Sequence, residues 1–154
     1  MANTFPSVLF VCLGNICRSP LAEAVFSEKA RSRGFDTLVD SAGTGSWHVG
    51  EPPCDHSVKV AKAHGLDIRG LRARQVRAED AGAFDVIVAL DGKNVADLKK
   101  LGFDDVYKLG SFGYNGEDVP DPFFFPGYEG FEQVFAMIDT CCEQLLEQLA
   151  SGRV

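Results

Sequence analysis

Residues 12–19, with the sequence CLGNICRS, place a nucleophile and a cation in one short segment. Cys12 carries a thiol, and Arg18 follows six residues later. A thiolate can attack phosphorus, and a guanidinium can hold two phosphate oxygens through parallel N–H donors. A cysteine and an arginine at this spacing also arise by chance, so the weight of the pair depends on the elements around it.

Those elements are predicted to be a buried strand and a helix. Residues 7–12, SVLFVC, form the short apolar run typical of a parallel strand buried on both faces. Ser19 and Pro20 resemble an N-cap followed by proline at the first helical position, and the helix is expected to end before Gly34. Gly14 can adopt a positive φ, and the loop ends at a helix N-terminus, so its N–H groups can surround one tetrahedral anion. The predicted phosphate-binding residues are Leu13, Gly14, Asn15, Ile16, Cys17 and Arg18. Helix N-termini and nearby guanidinium groups also favour a thiolate at Cys12.

Strand-like and helix-like segments alternate along the rest of the chain. Strands are predicted over 37–40, 84–90 and 106–109, and helices over 55–64 and 94–101. An apolar stripe between residues 131 and 149 predicts a C-terminal helix. Right-handed connections then give an α/β fold with a doubly wound, four-stranded parallel sheet and helices on both faces. We find no linker or repeat, so residues 1–154 are predicted to form one domain whose ligand site lies at the carboxyl ends of the strands.

A second chemical group lies in the Gly- and Pro-rich segment 110–127, which is long enough to suggest a functional loop. Pro122 biases Asp121 toward an extended backbone that can aim its carboxyl. A positioned acid assists departure of a phenol-like leaving group. Asp118 is the rival acid in the same segment. Asp91, which follows strand 84–90, is interpreted as a helix N-cap or a turn residue and is assigned no catalytic role.

Composition excludes several classes of function. The net charge of −7 argues against broad electrostatic binding of nucleic acid or an anionic membrane. We find no signal-like N-terminus and no long apolar run, so a cytoplasmic location is predicted. His48, His56 and His64 are too scattered for a metal site, so neither metal nor cofactor is expected.

The five cysteines are an odd number, and a disulfide framework is not expected. Cys17 is either a buried spacer or the partner of Cys12 in a reversible disulfide that protects the nucleophile. The other three, Cys54, Cys141 and Cys142, are interpreted as structural.

The segment VLFVCLGNICRSPLAEAVF resembles the N-terminal signature of the low-molecular-weight protein tyrosine phosphatases. SAGT, the single Trp47 and VPDPFF follow in that family's order and spacing, so the resemblance covers essentially the whole chain. It implies a flavodoxin-like sheet and hydrolysis of phosphotyrosine through a cysteinyl-phosphate intermediate. By this match Cys12 is the nucleophile, Arg18 binds phosphate and Asp121 is the general acid. A phosphotyrosine-containing protein is the expected substrate, with inorganic phosphate or vanadate as inhibitors.

Supporting residues follow from the same match. Ser19 and Asn15 are expected to shape the loop around the thiolate, and the resemblance adds Ser41 and His64 as partners of Asn15. Their alternatives are a turn at Ser41 and a helix C-terminus at His64. Trp47 is predicted to form one wall of the substrate cleft, and the alternative is that it packs in the core. Phe123 and Phe124, where many relatives carry Tyr, are predicted to form the opposite wall.

Two other functions remain open on the sequence. A thioredoxin-linked arsenate reductase has a similar Cys/Arg loop but needs further cysteines near strand 84–90, and this chain has none between residues 55 and 140. A phosphate-binding module that has lost catalysis is the other alternative. Retention of Cys12, Arg18, Ser19 and Asp121 together argues against it.

Overall fold

The computed structural model describes residues 5–122 and 129–154, and its centre is a four-stranded parallel sheet. The strands stand in the order β2-β1-β3-β4 and comprise β1 Val8–Cys12, β2 Val39–Gly43, β3 Val86–Ala89 and β4 Val106–Lys108. The helices are α1 Arg18–Ser32, α2 Asp55–Ala63, the single turn α3 Asp80–Ala83, α4 Gly92–Lys100 and α5 Glu129–Ala150. The predicted α/β fold with a doubly wound sheet is confirmed.

Helices cover both faces of the sheet, so the alternating side chains of β1 pack into two separate cores, one on each face. Val8 and Phe10 belong to the larger core, which α1, α2 and α5 complete. Leu9 and Val11 belong to a smaller core that includes Leu98 of α4. All four of these β1 side chains are fully buried, which is why the strand appears as a continuous apolar run.

Several predicted boundaries move in the structure, and two of them lie next to the loop that follows β1. β2 extends to Gly43 instead of ending at Asp40, because pairing with β1 overrides the weak strand preference of Ser41, Ala42 and Gly43. α1 begins at Arg18 with Cys17 as N-cap, so the predicted cap at Ser19 is wrong. Ser19 uses its hydroxyl elsewhere, and Pro20 still lies in the first turn, where a missing N–H costs no helical hydrogen bond.

α3 and a 3₁₀ turn at Leu109–Ser111 were not indicated by the sequence, since each is a single turn with no apolar period. Within the described ranges, no helix combines the length and the apolar character needed to cross a membrane. The predicted wall residues Phe123 and Phe124 lie outside the described residues.

Candidate active site

The loop 13–17 joins the end of β1 to the start of α1 at the carboxyl edge of the sheet. Its left-handed residue is Asn15, with φ 57°, although Gly14 could adopt this conformation more easily. The asparagine tolerates this conformation because its side chain is held by three hydrogen bonds described below. The N–H groups of Thr44 and Gly45 donate to the carbonyls of Cys12 and Leu13 at 2.9 Å each, which ties the loop to the segment after β2.

The absence of a side chain at Gly43 lets this loop pass close to the end of β2. A Cβ at that position would lie 2.7 Å from the carbonyl oxygen of Leu13, closer than van der Waals contact allows. A Cβ on Gly14 would lie 3.1 Å from Cδ2 of His48 on the other side of the loop. The backbone of the loop is therefore held between the end of β2 and the segment that carries His48.

The Cys12 thiol lies at the bottom of the loop, 2% exposed. The N–H of Asn15 donates to Sγ at 3.3 Å, and the Ser19 hydroxyl lies 3.0 Å from the same sulfur. The free N–H groups at the start of α1 add the positive end of the helix dipole. Each of these groups stabilises a negative charge on Cys12 more than a neutral thiol.

Asn15 connects the loop to β2 through its side-chain amide. Nδ2 donates to the hydroxyls of Ser19 at 2.8 Å and Ser41 at 2.9 Å, and Oδ1 accepts from the backbone N–H of Arg74 at 3.0 Å. The Ser41 hydroxyl in turn donates to Glu23 Oε1 at 2.6 Å. The predicted contact of Asn15 with Ser41 is present, and the sequence did not indicate Glu23 or Arg74 as members of this network.

The prediction that His64 also contacts Asn15 is wrong. The His64 ring stacks on Phe135 of α5 at a centroid distance of 4.0 Å, and Nε2 lies 3.2 Å from Glu132. α2 ends at this histidine, as the alternative interpretation had it, and the following Gly65 has a φ of 81°. Its position at the helix end directs the ring toward α5 instead of toward the loop.

Arg18 is held so that one edge of its guanidinium remains for a ligand. Nη1 donates to Asp91 Oδ2 at 2.7 Å and to the carbonyl of Val119 at 3.0 Å. Among the described residues, all hydrogen bonds of this side chain are made through Nη1, which leaves Nε and Nη2 for two oxygens of a phosphate. Asp91 is confirmed as the N-cap of α4, accepting from Asn94 N–H, and its ion pair with Arg18 is an addition that the sequence did not predict.

A narrow cavity of about 110 Å³ brings most of the predicted site residues together. Its lining is formed by Cys12, Leu13, Gly14, Ile16, Cys17, Arg18, Trp47, His48 and Asp121. Trp47 is 69% exposed, as a wall residue would be and a core residue would not. His48 was missed, although its position next to Trp47 is a signal that could have indicated it. A larger cavity of about 410 Å³ between α1 and α5 is lined by neither a cysteine nor an arginine.

Of the two candidate acids, only Asp121 lines this cavity. Asp118 accepts from Lys108 Nζ and from the N–H of Gly92, each at 2.9 Å. The hydrogen bond from Lys108 lowers the pKa of Asp118, which favours a carboxylate that cannot donate a proton at neutral pH.

Cys17 forms a disulfide with Cys54, with 5.6 Å between the Cα atoms. Both roles predicted for Cys17, a buried spacer or the partner of Cys12, are therefore wrong. One disulfide is present where no disulfide framework was expected, and Cys54 has its structural role as the partner of Cys17. The start of α2 packs against the loop, where Cys54 N–H donates to the Ile16 carbonyl at 2.8 Å, and this contact brings the two cysteines together. Cys12 stays a free thiol.

Cys141 and Cys142 are buried in α5, which agrees with their interpretation as structural residues. Burial raises the pKa of Cys141 to about 11 and holds the pKa of Cys142 well above its usual value, so both remain neutral thiols. In the part of the chain that the structure describes, no group of three or more His, Cys, Asp and Glu residues could hold a metal ion.

Comparison with known proteins agrees with this geometry. The family described as low molecular weight phosphotyrosine protein phosphatase matches residues 7–153. The low molecular weight protein-tyrosine-phosphatase YfkJ of Bacillus subtilis is 41% identical over 151 residues, covering 93% of this chain and 95% of the relative. PtpA of Staphylococcus aureus strain Newman, also a low molecular weight protein-tyrosine-phosphatase, is 39% identical over 147 residues and 92% of each chain.

Solved structures lead to the same conclusion. The crystal structure of YfkJ from Bacillus subtilis superimposes with a TM-score of 0.90 at 38% identity and covers all of both chains. A second structure, described as DARP, drosophila arginine phosphatase, has a TM-score of 0.86 at 35% identity and covers 92% of this chain and 96% of that one. The family match covers almost the full sequence, and the sheet order and the Cys/Arg loop are consistent with it. The chain therefore belongs to the low-molecular-weight protein tyrosine phosphatases.

Proposed function

We propose that this phosphatase hydrolyses phosphotyrosine in proteins through a cysteinyl-phosphate intermediate on Cys12. The observation that carries the proposal is the shared cavity of Cys12, Arg18 and Asp121. Backbone N–H groups of residues 13–18 and the free edge of Arg18 would hold the phosphate oxygens. Because these donors are fixed before substrate binds, they stabilise the transition state without further reorganisation.

In the first step the Cys12 thiolate attacks phosphorus, so that an S–P bond forms as the P–O bond to the tyrosine oxygen breaks. Asp121 gives its proton to the departing phenolate, an assistance worth about 10²–10⁴-fold in rate. In the second step the Asp121 carboxylate takes a proton from water, whose oxygen attacks phosphorus. The S–P bond breaks, phosphate leaves and the thiolate is restored.

An aromatic phosphoester is the substrate that the rim of the cavity favours. The exposed indole of Trp47 offers a flat apolar surface beside the phosphate site. Phe123 and Phe124 are proposed to form the opposite wall. With residues 1–154 as one domain acting in the cytoplasm, phosphorylated proteins would be the substrates, and inorganic phosphate and vanadate would occupy the same donors as inhibitors.

Hydrolysis of an aryl phosphate by the reduced protein in EDTA is the direct test. We expect turnover that vanadate inhibits and that Cys12→Ser abolishes, with Cys141→Ala, a buried cysteine outside the cavity, as the matched control. Full activity in Cys12→Ser would exclude the mechanism. Arsenate reduction with thioredoxin in place of phosphatase activity would assign the chain to that class instead.

Asp121→Asn tests the acid. The variant should lose more rate on phosphotyrosine than on an ester with a good leaving group, because only the poor leaving group needs the proton. Asp118→Asn is the matched control and should lose little on either ester. Equal losses on both esters in Asp121→Asn would remove Asp121 from the acid role. A phosphoarginine peptide is assayed in parallel, since one structural neighbour is described as an arginine phosphatase.

A further inference from the structure

A continuous chain of hydrogen bonds leads from the Cys12 sulfur to a carboxyl group on α1. It passes from Cys12 to Ser19 at 3.0 Å and from Ser19 to Asn15 at 2.8 Å. It continues from Asn15 to Ser41 at 2.9 Å and from Ser41 to Glu23 at 2.6 Å. The first four of these residues are at least 95% buried, so bulk water does not compete for their hydrogen bonds.

Donor and acceptor roles in the chain are fixed by Glu23, which accepts from Ser41, and by the Arg74 N–H, which donates to Oδ1 of Asn15 and so orients its amide. The hydroxyl of Ser41 has one hydrogen, which Glu23 accepts, so Ser41 presents lone pairs to Asn15. The two hydrogens of Asn15 Nδ2 are then used by Ser41 and Ser19. A thiolate has no hydrogen to give, so the remaining hydrogen of Ser19 is directed to Cys12.

We propose that Glu23 is a positioning residue for the phosphatase reaction, orienting Ser41 and Asn15 and through them the Ser19 hydroxyl that faces Cys12. This inference rests on the proposed role of Cys12 as nucleophile. It adds an α1 carboxyl to the network around Asn15, for which the resemblance had suggested Ser41 and His64. Glu23 touches none of the reacting atoms, and its effect reaches Cys12 only through the intervening side chains.

The surroundings of Glu23 make the network sensitive to pH. Burial raises the pKa of Glu23 to about 7, although the Ser41 hydrogen bond acts in the opposite sense. The charge of Asp40 on β2 also contributes to this raised pKa, and the charge of Arg74 opposes it. Arg74 is itself paired with Asp40 at 3.1 Å and with Asp80 at 3.0 Å, so little of its charge is left for Glu23. Glu23 is thus a neutral acceptor in weak acid and a stronger, charged acceptor above neutrality.

Two substitutions at Glu23 separate the acceptor from its charge. Glu23→Met removes the acceptor at similar length, whereas Glu23→Gln keeps an acceptor oxygen that never ionises. The rate of Cys12 alkylation by iodoacetamide is measured against pH by mass spectrometry of the Cys12 peptide. This neutral reagent reports the thiolate without requiring turnover. Activity toward an aryl phosphate is measured on the same samples.

In Glu23→Met we expect the pH midpoint of alkylation to rise by about 0.5–1 unit and kcat to fall about three- to tenfold, because a hydrogen bond to the thiolate is weakened. In Glu23→Gln the midpoint should stay at the wild-type value. The wild-type to Gln ratio of kcat/KM should rise from about 1 at pH 5.5 to about 3 at pH 8. The matched control is Glu28→Met, on the exposed side of the same helix, which should leave both readouts unchanged.

A folded Glu23→Met with wild-type alkylation and kcat would overturn the proposal, as would an equal defect in Gln and Met. If Glu23→Met does not fold, the Gln variant decides, because a flat activity ratio between pH 5.5 and 8 also contradicts the proposal. Failure of the proposed function is a separate result. It would appear as a wild-type protein without phosphatase activity, and the alkylation profiles of the Glu23 variants would still test the positioning role.

Discussion

Replacing Asp91 by Asn removes the charge that holds Arg18. The Arg18 and Asp91 side chains are 5% and 20% exposed, and their ion pair spans 2.7 Å. Arg18 donates to Oδ2 of Asp91 and the Asn94 N–H donates to Oδ1, whereas asparagine offers a single acceptor oxygen, so the substitution removes the negative charge and one of the two hydrogen bonds. Removing one partner of a fully buried ion pair costs about 3–5 kcal/mol. Because Asp91 keeps partial contact with water and Asn keeps an acceptor, we expect about 2 kcal/mol less free energy of unfolding.

The same substitution should impair catalysis. Arg18 keeps its hydrogen bond to the Val119 carbonyl at 3.0 Å but loses the charged partner that fixes its plane. A displacement of about 1 Å in a catalytic group can cost about 100-fold in rate, so we expect kcat/KM for an aryl phosphate to fall at least about tenfold. Urea unfolding and steady-state kinetics at pH 7 in EDTA measure the two effects on one preparation.

Asp118→Asn is the matched control for Asp91→Asn. Asp118 pairs with Lys108 at 2.9 Å and is 56% exposed, and ion pairs of this kind contribute about 0–1 kcal/mol. This variant should unfold within about 1 kcal/mol of the wild type and keep its kcat/KM. Wild-type stability together with wild-type kcat/KM in Asp91→Asn would refute the conclusion that Asp91 anchors Arg18.

Three further predictions concern pH, the disulfide and the loop. The pKa of Glu23 rises from 4.5 to about 7 on folding, so the stability it contributes is complete below pH 4.5 and is lost as the pH rises through 7. This contribution is at most about 3 kcal/mol. In Glu23→Gln the free energy of unfolding should therefore fall less between pH 5 and 8 than in the wild type. An equal fall in the two proteins, measured by urea titration, would contradict the prediction. The Cys17–Cys54 disulfide closes a sequence separation of 37 residues, so reduction should lower the free energy of unfolding by about 2–4 kcal/mol. Cys54→Ser should reproduce this loss and be insensitive to dithiothreitol, and equal stability with and without reductant in the wild type would count against the pairing. Gly43→Ala places a Cβ 2.7 Å from the Leu13 carbonyl and should lower kcat at least about tenfold by displacing the loop. Gly70→Ala, whose Cβ would meet no atom within 4 Å, should retain activity, and equal activity in the two variants would show that the close approach is unimportant.

The sequence predicted the elements whose signals are local and strong. β1 is a continuous apolar run, and α5 carries an apolar stripe over 22 residues, so both were located within two residues at the ends that could be compared. β2 was predicted to begin two residues early and to end three residues early, because its buried part, Ser41-Ala42-Gly43, has small residues with weak strand preference. Pairing with Phe10, Val11 and Cys12 of β1 stabilises that part, and such pairing cannot be seen in a local window.

The sequence likewise predicted some residues of the candidate site and missed others. The loop from Cys12 to Ser19 is contiguous, and its residue types alone indicate an anion site. Asp91, Glu23 and Cys54 reach the loop only because helices and strands distant in sequence pack beside it. The prediction for His64 failed for a related reason. The family resemblance suggested a role for this residue, but the geometry of the end of α2 determines where its side chain points.

The pairing of nearby carboxylates explains how a chain of net charge −7 keeps an anion site. Asp91 is paired with Arg18, and Asp118 with Lys108. Asp40 and Asp80 share Arg74, and Glu23 holds a proton up to about pH 7. An approaching phosphate therefore meets carboxylates whose charge is largely compensated, together with N–H donors at short range. Short-range donors in a buried loop are little affected by a distant surface charge that salt screens. The acidic surface and the phosphate site are thus compatible, because the first acts through solvent and the second through direct contact.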